Sequence, residues 1–108
     1  MTQTGYKAVK NSYLAQQIQL ASPEKLILMM YDLGLKSCRT KDRGKASKVL
    51  VELISALNFD YKDASVRFFE LYRYALDRVQ SGKFEEAGTV LQGLRDAWQS
   101  AFKIKNQG

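Results

Sequence analysis

The sequence predicts an all-α protein: an antiparallel, up-down four-helix bundle with an N-terminal arm packed over an apolar groove. Three observations predict it. Apolar residues recur at helical spacing in four segments, short connections make consecutive helices pack antiparallel, and no segment has the pattern of a strand. In a chain of 108 residues, which holds one modest core, we expect residues 1–20 to form the arm and residues 21–105 the bundle domain.

The first predicted helix covers residues 22–38 and has clear start signals. Ser22 suits the N-cap because its hydroxyl accepts a hydrogen bond from a free backbone amide, and Pro23 suits the first helical position. The apolar arc of this helix spans roughly 260°, whereas facing a single core requires about 100°. The surplus must be covered by neighbouring helices, by another part of the chain or by a partner. The apolar residues are Leu26, Ile27, Leu28, Met29, Met30, Tyr31, Leu33, Leu35 and Cys38.

The remaining helices are predicted over residues 43–58, 62–80 and 83–103. Asp42 is a plausible cap for the second helix, and Gly82 is well placed to end the third because glycine adopts the left-handed conformation at low cost. The residues expected to face the core are Ala46, Val49, Leu50, Leu53, Ile54 and Leu57 in the second helix, Phe68, Leu71, Tyr72, Ala75, Leu76 and Val79 in the third, and Phe84, Ala87, Leu91, Leu94, Trp98, Ala101 and Phe102 in the fourth.

Several tyrosines and glycines within the predicted helices need an explanation. The rings of Tyr31, Tyr72 and Tyr74 are expected to pack within the bundle, with their hydroxyls in water. Gly88 and Gly93 each lower the helix propensity by about 1 kcal/mol. The alternative for these two glycines is that they permit the close approach of another helix.

The composition argues against an enzyme. The chain has no histidine, which removes the commonest general base and the commonest transition-metal ligand. Its single cysteine, Cys38, makes a zinc site improbable, and no phosphate loop or nucleophile elbow occurs. We therefore expect no catalytic residue, no metal and no cofactor.

The same composition predicts a cytoplasmic protein. One cysteine cannot form an internal disulfide, which fits a reducing compartment. No apolar run approaches the length of about 18 residues that a membrane span needs, and the N-terminus lacks the apolar core of a signal peptide. We therefore expect no direct insertion into a membrane.

The positive charge is concentrated in one stretch. The formal net charge is +6, and residues 36–48 contain six basic residues and one acidic residue, Asp42. One interpretation is a solvated corner between two helices. The other is contact with an acidic partner or nucleic acid through charge attraction.

The arm carries apolar side chains that a flexible leader does not need, including Tyr6, Tyr13 and Ile18. Beside a helix with surplus apolar surface, these residues suggest an arm lying over a groove. In one hypothesis an amphipathic helical or extended peptide competes with the arm for that groove. In the other the arm is a permanent fifth element of the core.

Four short blocks follow one another between residues 11 and 102. They are Asn11-Ser12-Tyr13 followed by Ile18 and Ala21-Ser22-Pro23, then Leu26-Ile27-Leu28-Met29-Met30-Tyr31-Asp32, then Leu71-Tyr72-Arg73-Tyr74, and finally Arg95-Asp96-Ala97-Trp98. In this order and spacing they resemble the signatures of the FliS family of flagellar secretion chaperones.

The resemblance implies a bundle that binds the disordered C-terminal segment of flagellin in the cytoplasm. It also implies a block on premature polymerisation and assistance in delivery to the flagellar type III export apparatus, with no nucleic-acid partner. The partner-binding positions carried over from the family are Tyr13 and Ile18 in the arm and Leu26, Ile27, Met30 and Tyr31 in the first helix. Two alternatives stay open: a tetratricopeptide-like helical adaptor, suggested by residues 82–87, and a basic bundle that binds nucleic acid.

Overall fold

A computed structural model describes residues 23–58, 60 and 62–107, with residues 102–107 described by their backbone alone. Four helices account for most of these residues, and the described ranges contain no strand. The predicted all-α class is therefore confirmed, whereas the predicted arm, with Tyr13, Ile18 and the Ser22 cap, lies outside the described residues. The helices are α1 (Pro23–Arg39), α2 (Arg43–Ser55), α3 (Lys62–Gln80) and α4 (Phe84–Gln107).

The helices form an antiparallel bundle in which consecutive helices are neighbours. The α1 helix packs on both α2 and α4, and α3 packs on α2 and α4. Trp98 of α4 bonds to the first turn of α1, whereas Gly88 faces Cys38 near the other end of α1. Because residue numbers rise along one helix as they fall along the other, α1 and α4 run in opposite directions.

The helix bounds follow the sequence prediction, with two differences. The α3 helix covers residues 62–80 as predicted, but α2 ends at Ser55, three residues before its predicted end, and α4 continues to Gln107. Beyond α2, Asn58 Oδ1 accepts a hydrogen bond from the Asp60 amide at 3.0 Å, and the Asn58 carbonyl accepts one from Ser65 Oγ. These local hydrogen bonds compete with continued helix, and they turn the chain into α3.

The predicted caps of α2 and α3 are both present. Asp42 is the N-cap of α2, and its Oδ1 accepts a hydrogen bond from the Lys45 amide at 3.1 Å. Gly82 has a φ of 77°, and the Lys83 amide beyond it donates to the Arg78 carbonyl at 2.7 Å. This is the Schellman arrangement, which satisfies carbonyls at the end of a helix.

The end of α1 has the same geometry with a less suitable residue. Lys41 has a φ of 56°, and the Asp42 amide donates to the Ser37 carbonyl at 2.8 Å. A left-handed conformation costs a residue with a Cβ about 1–2 kcal/mol. Lys41 is therefore a strained position in the connection between α1 and α2.

The core contains inward-facing residues from all four helices, largely as predicted. Leu71 and Ala101 are corrections, because both are exposed. Leu71 lies at the edge of the buried face of α3, about 40° beyond Ala75 on the side away from Tyr72. The buried apolar residues are Tyr31, Leu35, Cys38, Ala46, Val49, Leu50, Leu53, Tyr72, Ala75, Val79, Ala87 and Leu91.

The close approach between helices occurs at Gly34 of α1. A Cβ on this residue would lie 3.1 Å from Leu91 Cδ1 and 3.4 Å from Val49 Cγ1, which is tighter than ordinary contact. Among the described residues, the nearest atom to a Cβ on Gly88 would be at an ordinary 3.9 Å, and none lies within 4 Å of a Cβ on Gly93. Close packing therefore explains Gly34, and it does not explain the two glycines of α4.

Candidate functional site

An apolar cleft of about 490 Å³ opens at the end of the bundle where α1 begins. All four helices contribute to its wall: the first turns of α1 and α3, the end of α2 with the residues that follow it, and one side chain of α4. The side chains that matter most are Leu26 and Ile27 of α1, Leu57 beyond α2, Phe68 and Tyr72 of α3, and Trp98 of α4.

The cleft follows from the unequal lengths of the helices. The α2 helix has 13 residues and the neighbouring α3 helix has 19. At a rise of 1.5 Å per residue, α2 is shorter than α3 by about 9 Å. Because α2 stops early, it has no further turn to cover the apolar side chains of α1, α3 and α4 at this end, and Leu57 forms only part of a wall.

The polar groups of the Trp98, Ser65 and Tyr72 side chains in the cleft wall already have partners. Trp98 Nε1 donates to the Glu24 carbonyl at 2.9 Å, and Ser65 Oγ donates to the Asn58 carbonyl. The Tyr72 hydroxyl is bonded to another tyrosine behind the wall. The surface that remains is apolar, so it suits the apolar side chains of a guest.

The tyrosine pair behind the cleft corrects the expectation that these hydroxyls lie in water. The Tyr31 and Tyr72 hydroxyls are 2.7 Å apart, and the two side chains are buried. Burial raises the pKa of both phenols, because the ionised form loses its hydration. Tyr74, by contrast, is 49% exposed, with the Arg78 guanidinium 5.5 Å from its ring centroid.

The four described residues assigned to partner binding occupy different positions. Leu26 and Ile27 line the apolar cleft and are half-buried. Met30 is half-buried against the core, away from the cleft lining. Tyr31 is fully buried, so it offers no surface for contact with a guest. It is hydrogen-bonded to Tyr72, which does line the cleft.

The two arm residues assigned to partner binding, Tyr13 and Ile18, lie outside the described residues. The structure adds Leu57, Phe68 and Trp98 to the candidate site. In the sequence these three residues look like ordinary core positions, since each continues the apolar stripe of its helix. Leu57 and Phe68 lie at the ends of their predicted stripes, and that position becomes meaningful only once α2 is known to stop early. Trp98 has Ala101 and Phe102 beyond it in the predicted stripe, so no such signal marks it in the sequence.

Apolar surface continues outside the cleft along α1. Met29 is 38% exposed and Leu33 is 49% exposed. With Leu26 they follow i, i+3, i+7 spacing, which places all three on one side of the helix. The wide apolar arc of α1 is therefore only partly covered by the described residues.

The described ranges contain neither a metal-binding cluster nor a membrane-spanning helix. There, no three His, Cys, Asp or Glu side chains lie together as a metal ion would require. No helix in this part of the chain combines the length and apolar character needed to cross a membrane.

The chain matches no protein-family model, no curated protein and no solved structure. A function can therefore be inferred only from the chemistry of the apolar cleft and from the sequence blocks that resemble the FliS family.

Proposed function

We propose that the protein is a cytoplasmic flagellin export chaperone of the FliS type. It binds the disordered C-terminal segment of flagellin, prevents premature polymerisation and assists delivery to the flagellar type III export apparatus. The observation that carries this proposal is the apolar cleft at the start of α1, bounded by Leu26 and Trp98. Both residues belong to the blocks that resemble the FliS family.

The shape of the apolar surface favours a helical guest. From Leu26 in the cleft to Leu33 on the open side of α1, the exposed apolar stripe is about 10 Å long. An amphipathic helix binds such a surface with anchors at i, i+3 or i+4, and i+7. The guest places its first anchor in the cleft beside Trp98 and the next against Met29.

The N-terminal arm of residues 1–20 competes with the guest in this proposal. Tyr13 is assigned to contact with the guest once the arm is displaced, so Tyr13→Ala is expected to weaken guest binding. Because Tyr13 lies outside the bundle domain in the sequence, little change in thermal stability is expected. Hydrogen exchange on the arm, with and without the guest, follows the competition directly. Exchange that stays the same on binding would show that the arm is not displaced.

The test is calorimetric titration of the full chain with a synthetic peptide of the flagellin C-terminal segment. Leu26→Glu places a charge in the cleft wall and is expected to weaken binding by at least about tenfold. Val51→Glu is the matched control, because Val51 is 49% exposed on α2 and lies outside the cleft lining. Circular dichroism of each variant reports whether the bundle is folded.

Two results would contradict the proposal. One is the absence of saturable binding by the wild-type chain. The other is an equal effect of Leu26→Glu and Val51→Glu in folded protein. Salt dependence separates the proposal from nucleic-acid binding, because affinity for a nucleic acid falls steeply with salt, whereas binding in an apolar cleft is much less sensitive.

A further inference from the structure

A second cleft, of about 800 Å³, lies at the opposite end of the bundle, between the end of α1 and the beginning of α4. We call it the basic-rimmed cleft. Leu35, Cys38 and Phe84 form its apolar floor beside Gly88, and Arg39 and Lys41 stand on its rim.

The floor is apolar and accessible for a structural reason. Leu35 and Cys38 belong to the buried core and turn only a small part of their surface to the cleft. Gly88 has no side chain to cover them. Among the described residues, Cys38 Cβ is the one atom within 4 Å of the position that a Cβ on Gly88 would take, at 3.9 Å. Burial raises the pKa of the Cys38 thiol, so the thiol remains neutral.

The rim charges are not neutralised by ion pairs within the described residues. Lys45, Arg78 and Arg95 supply the cations of the ion pairs found there. Arg39 and Lys41 are both exposed, and neither takes part in these pairs. The two cations are therefore available to carboxylates of a partner.

Further basic residues surround this end of the bundle. The Arg43 side chain reaches Gly82, because its guanidinium nitrogen lies 3.6 Å from where a Cβ on Gly82 would be. The connection between α1 and α2 is therefore close to the turn between α3 and α4. Lys83 stands in that turn. Glu85 is the acidic residue on the cleft, while Glu86 is paired with an arginine at 3.4 Å. Positive charge therefore predominates around the cleft.

We propose that the basic-rimmed cleft binds an acidic segment of another protein that carries an apolar anchor residue. The anchor lies on the floor beside Gly88, and carboxylates on either side of it bind Arg39 and Lys41 through charge-assisted hydrogen bonds. A nucleic acid would use the charges but not the apolar floor, so the floor favours a protein segment. This site lies at the other end of α1 from the apolar cleft and does not depend on the function proposed for that cleft.

The test is fluorescence anisotropy with the full chain and a labelled peptide, Asp-Glu-Phe-Asp-Glu-Leu-Glu-Asp. We expect Arg39→Glu and Gly88→Leu each to weaken binding by about tenfold. Arg67→Glu is the matched charge control on exposed α3 surface. Gly93→Leu is the matched glycine control, since no atom in the described part of the chain lies within 4 Å of a Cβ there.

Two comparison ligands complete the experiment. One is the same peptide with serine in place of phenylalanine and leucine, and the other is a single-stranded oligothymidylate. Both are expected to bind at least about tenfold more weakly than the acidic-apolar peptide. Equal binding of either ligand would overturn the proposal, as would the absence of binding by the wild-type chain.

The variants also distinguish specific binding in the basic-rimmed cleft from nonspecific electrostatic attraction of the acidic peptide. Wild-type affinity in folded Gly88→Leu would overturn the proposal, and so would an equal loss in Arg39→Glu and Arg67→Glu. If Gly88→Leu does not fold, the comparison of Arg39→Glu with Arg67→Glu decides, because both substitutions are at exposed positions. Binding of the acidic peptide to chain already saturated with the flagellin peptide would confirm that the two sites are independent.

Discussion

The hydrogen-bonded hydroxyls of Tyr31 and Tyr72 join α1 to α3 across the core. Removing them measures how much this buried hydrogen bond contributes to the free energy of unfolding. The two oxygens are 2.7 Å apart, and Tyr72 is only 4% exposed. Tyr31→Phe removes one hydroxyl and leaves the other buried without its partner. Such an orphaned group costs about 1–3 kcal/mol, and we expect the free energy of unfolding to fall by that amount.

The double variant separates the hydrogen bond from the loss of a polar group. In Tyr31→Phe with Tyr72→Phe, two apolar rings of the same shape replace the pair, and such a replacement is nearly neutral. The double variant is therefore expected to be more stable than Tyr31→Phe. The coupling energy from the double-mutant cycle should be about 1–2 kcal/mol.

The assay is urea unfolding followed by far-ultraviolet circular dichroism, repeated across alkaline pH. Because burial raises the pKa of Tyr31 and Tyr72 in the folded state, the unfolded chain loses these protons first. The pair's contribution to stability is thus fully present below about pH 10, the ordinary phenol pKa, and is lost as pH rises above it. The difference between wild type and double variant isolates this loss from the other ionisable groups.

The reasoning would be refuted by additive effects. If Tyr31→Phe and Tyr72→Phe each destabilise the protein and the double variant loses the sum, the two hydroxyls do not act as a pair. The same conclusion would follow if wild type and double variant lost stability in parallel above pH 10, since buried phenols would then contribute nothing to the difference.

Three backbone substitutions test the packing and the turns by the same unfolding assay. Gly34→Ala places a Cβ 3.1 Å from Leu91 Cδ1. We expect the free energy of unfolding to fall by about 1 kcal/mol even after the gain in helix propensity. Stability equal to or greater than that of the wild type would contradict the close approach. Gly93→Ala places a Cβ where the described ranges have no atom within 4 Å, and it should stabilise α4 by about 0.5–1 kcal/mol. Lys41→Gly relieves a φ of 56° and should stabilise the protein by about 1 kcal/mol, whereas a loss would show that the lysine side chain contributes more than the strain costs.

Much of the fold could be predicted from local sequence. The spacing of apolar residues placed α3 over residues 62–80, and the residue chemistry of Asp42 and Gly82 indicated a helix start and a helix end. Those signals act over a few residues, so neighbouring positions in the sequence contain the information. The buried stripe of α3 could also be predicted, apart from Leu71, which lies at the edge of that face about 40° beyond Ala75.

The cleft depends on contacts between distant parts of the chain, and periodicity could not reveal it. Its opening exists because α2 stops at Ser55, where Asn58 bonds to Asp60 and Ser65 instead of continuing the helix. Likewise, an apolar arc as wide as that of α1 does not show which side faces the core. The structure turns Tyr31 inward, which the sequence pattern alone could not decide.

Trp98 gives the most direct measurement of whether a guest occupies the apolar cleft. It is the single tryptophan of the chain and lies in the cleft wall, so its emission reports on that site alone when the added peptide has no tryptophan. With the flagellin C-terminal peptide we expect a saturable shift of Trp98 emission to shorter wavelength. The affinity read from this shift should be retained in Val51→Glu and weakened at least about tenfold in Leu26→Glu. Heat of binding in calorimetry with unchanged Trp98 emission would place the guest elsewhere and contradict the assignment of this cleft.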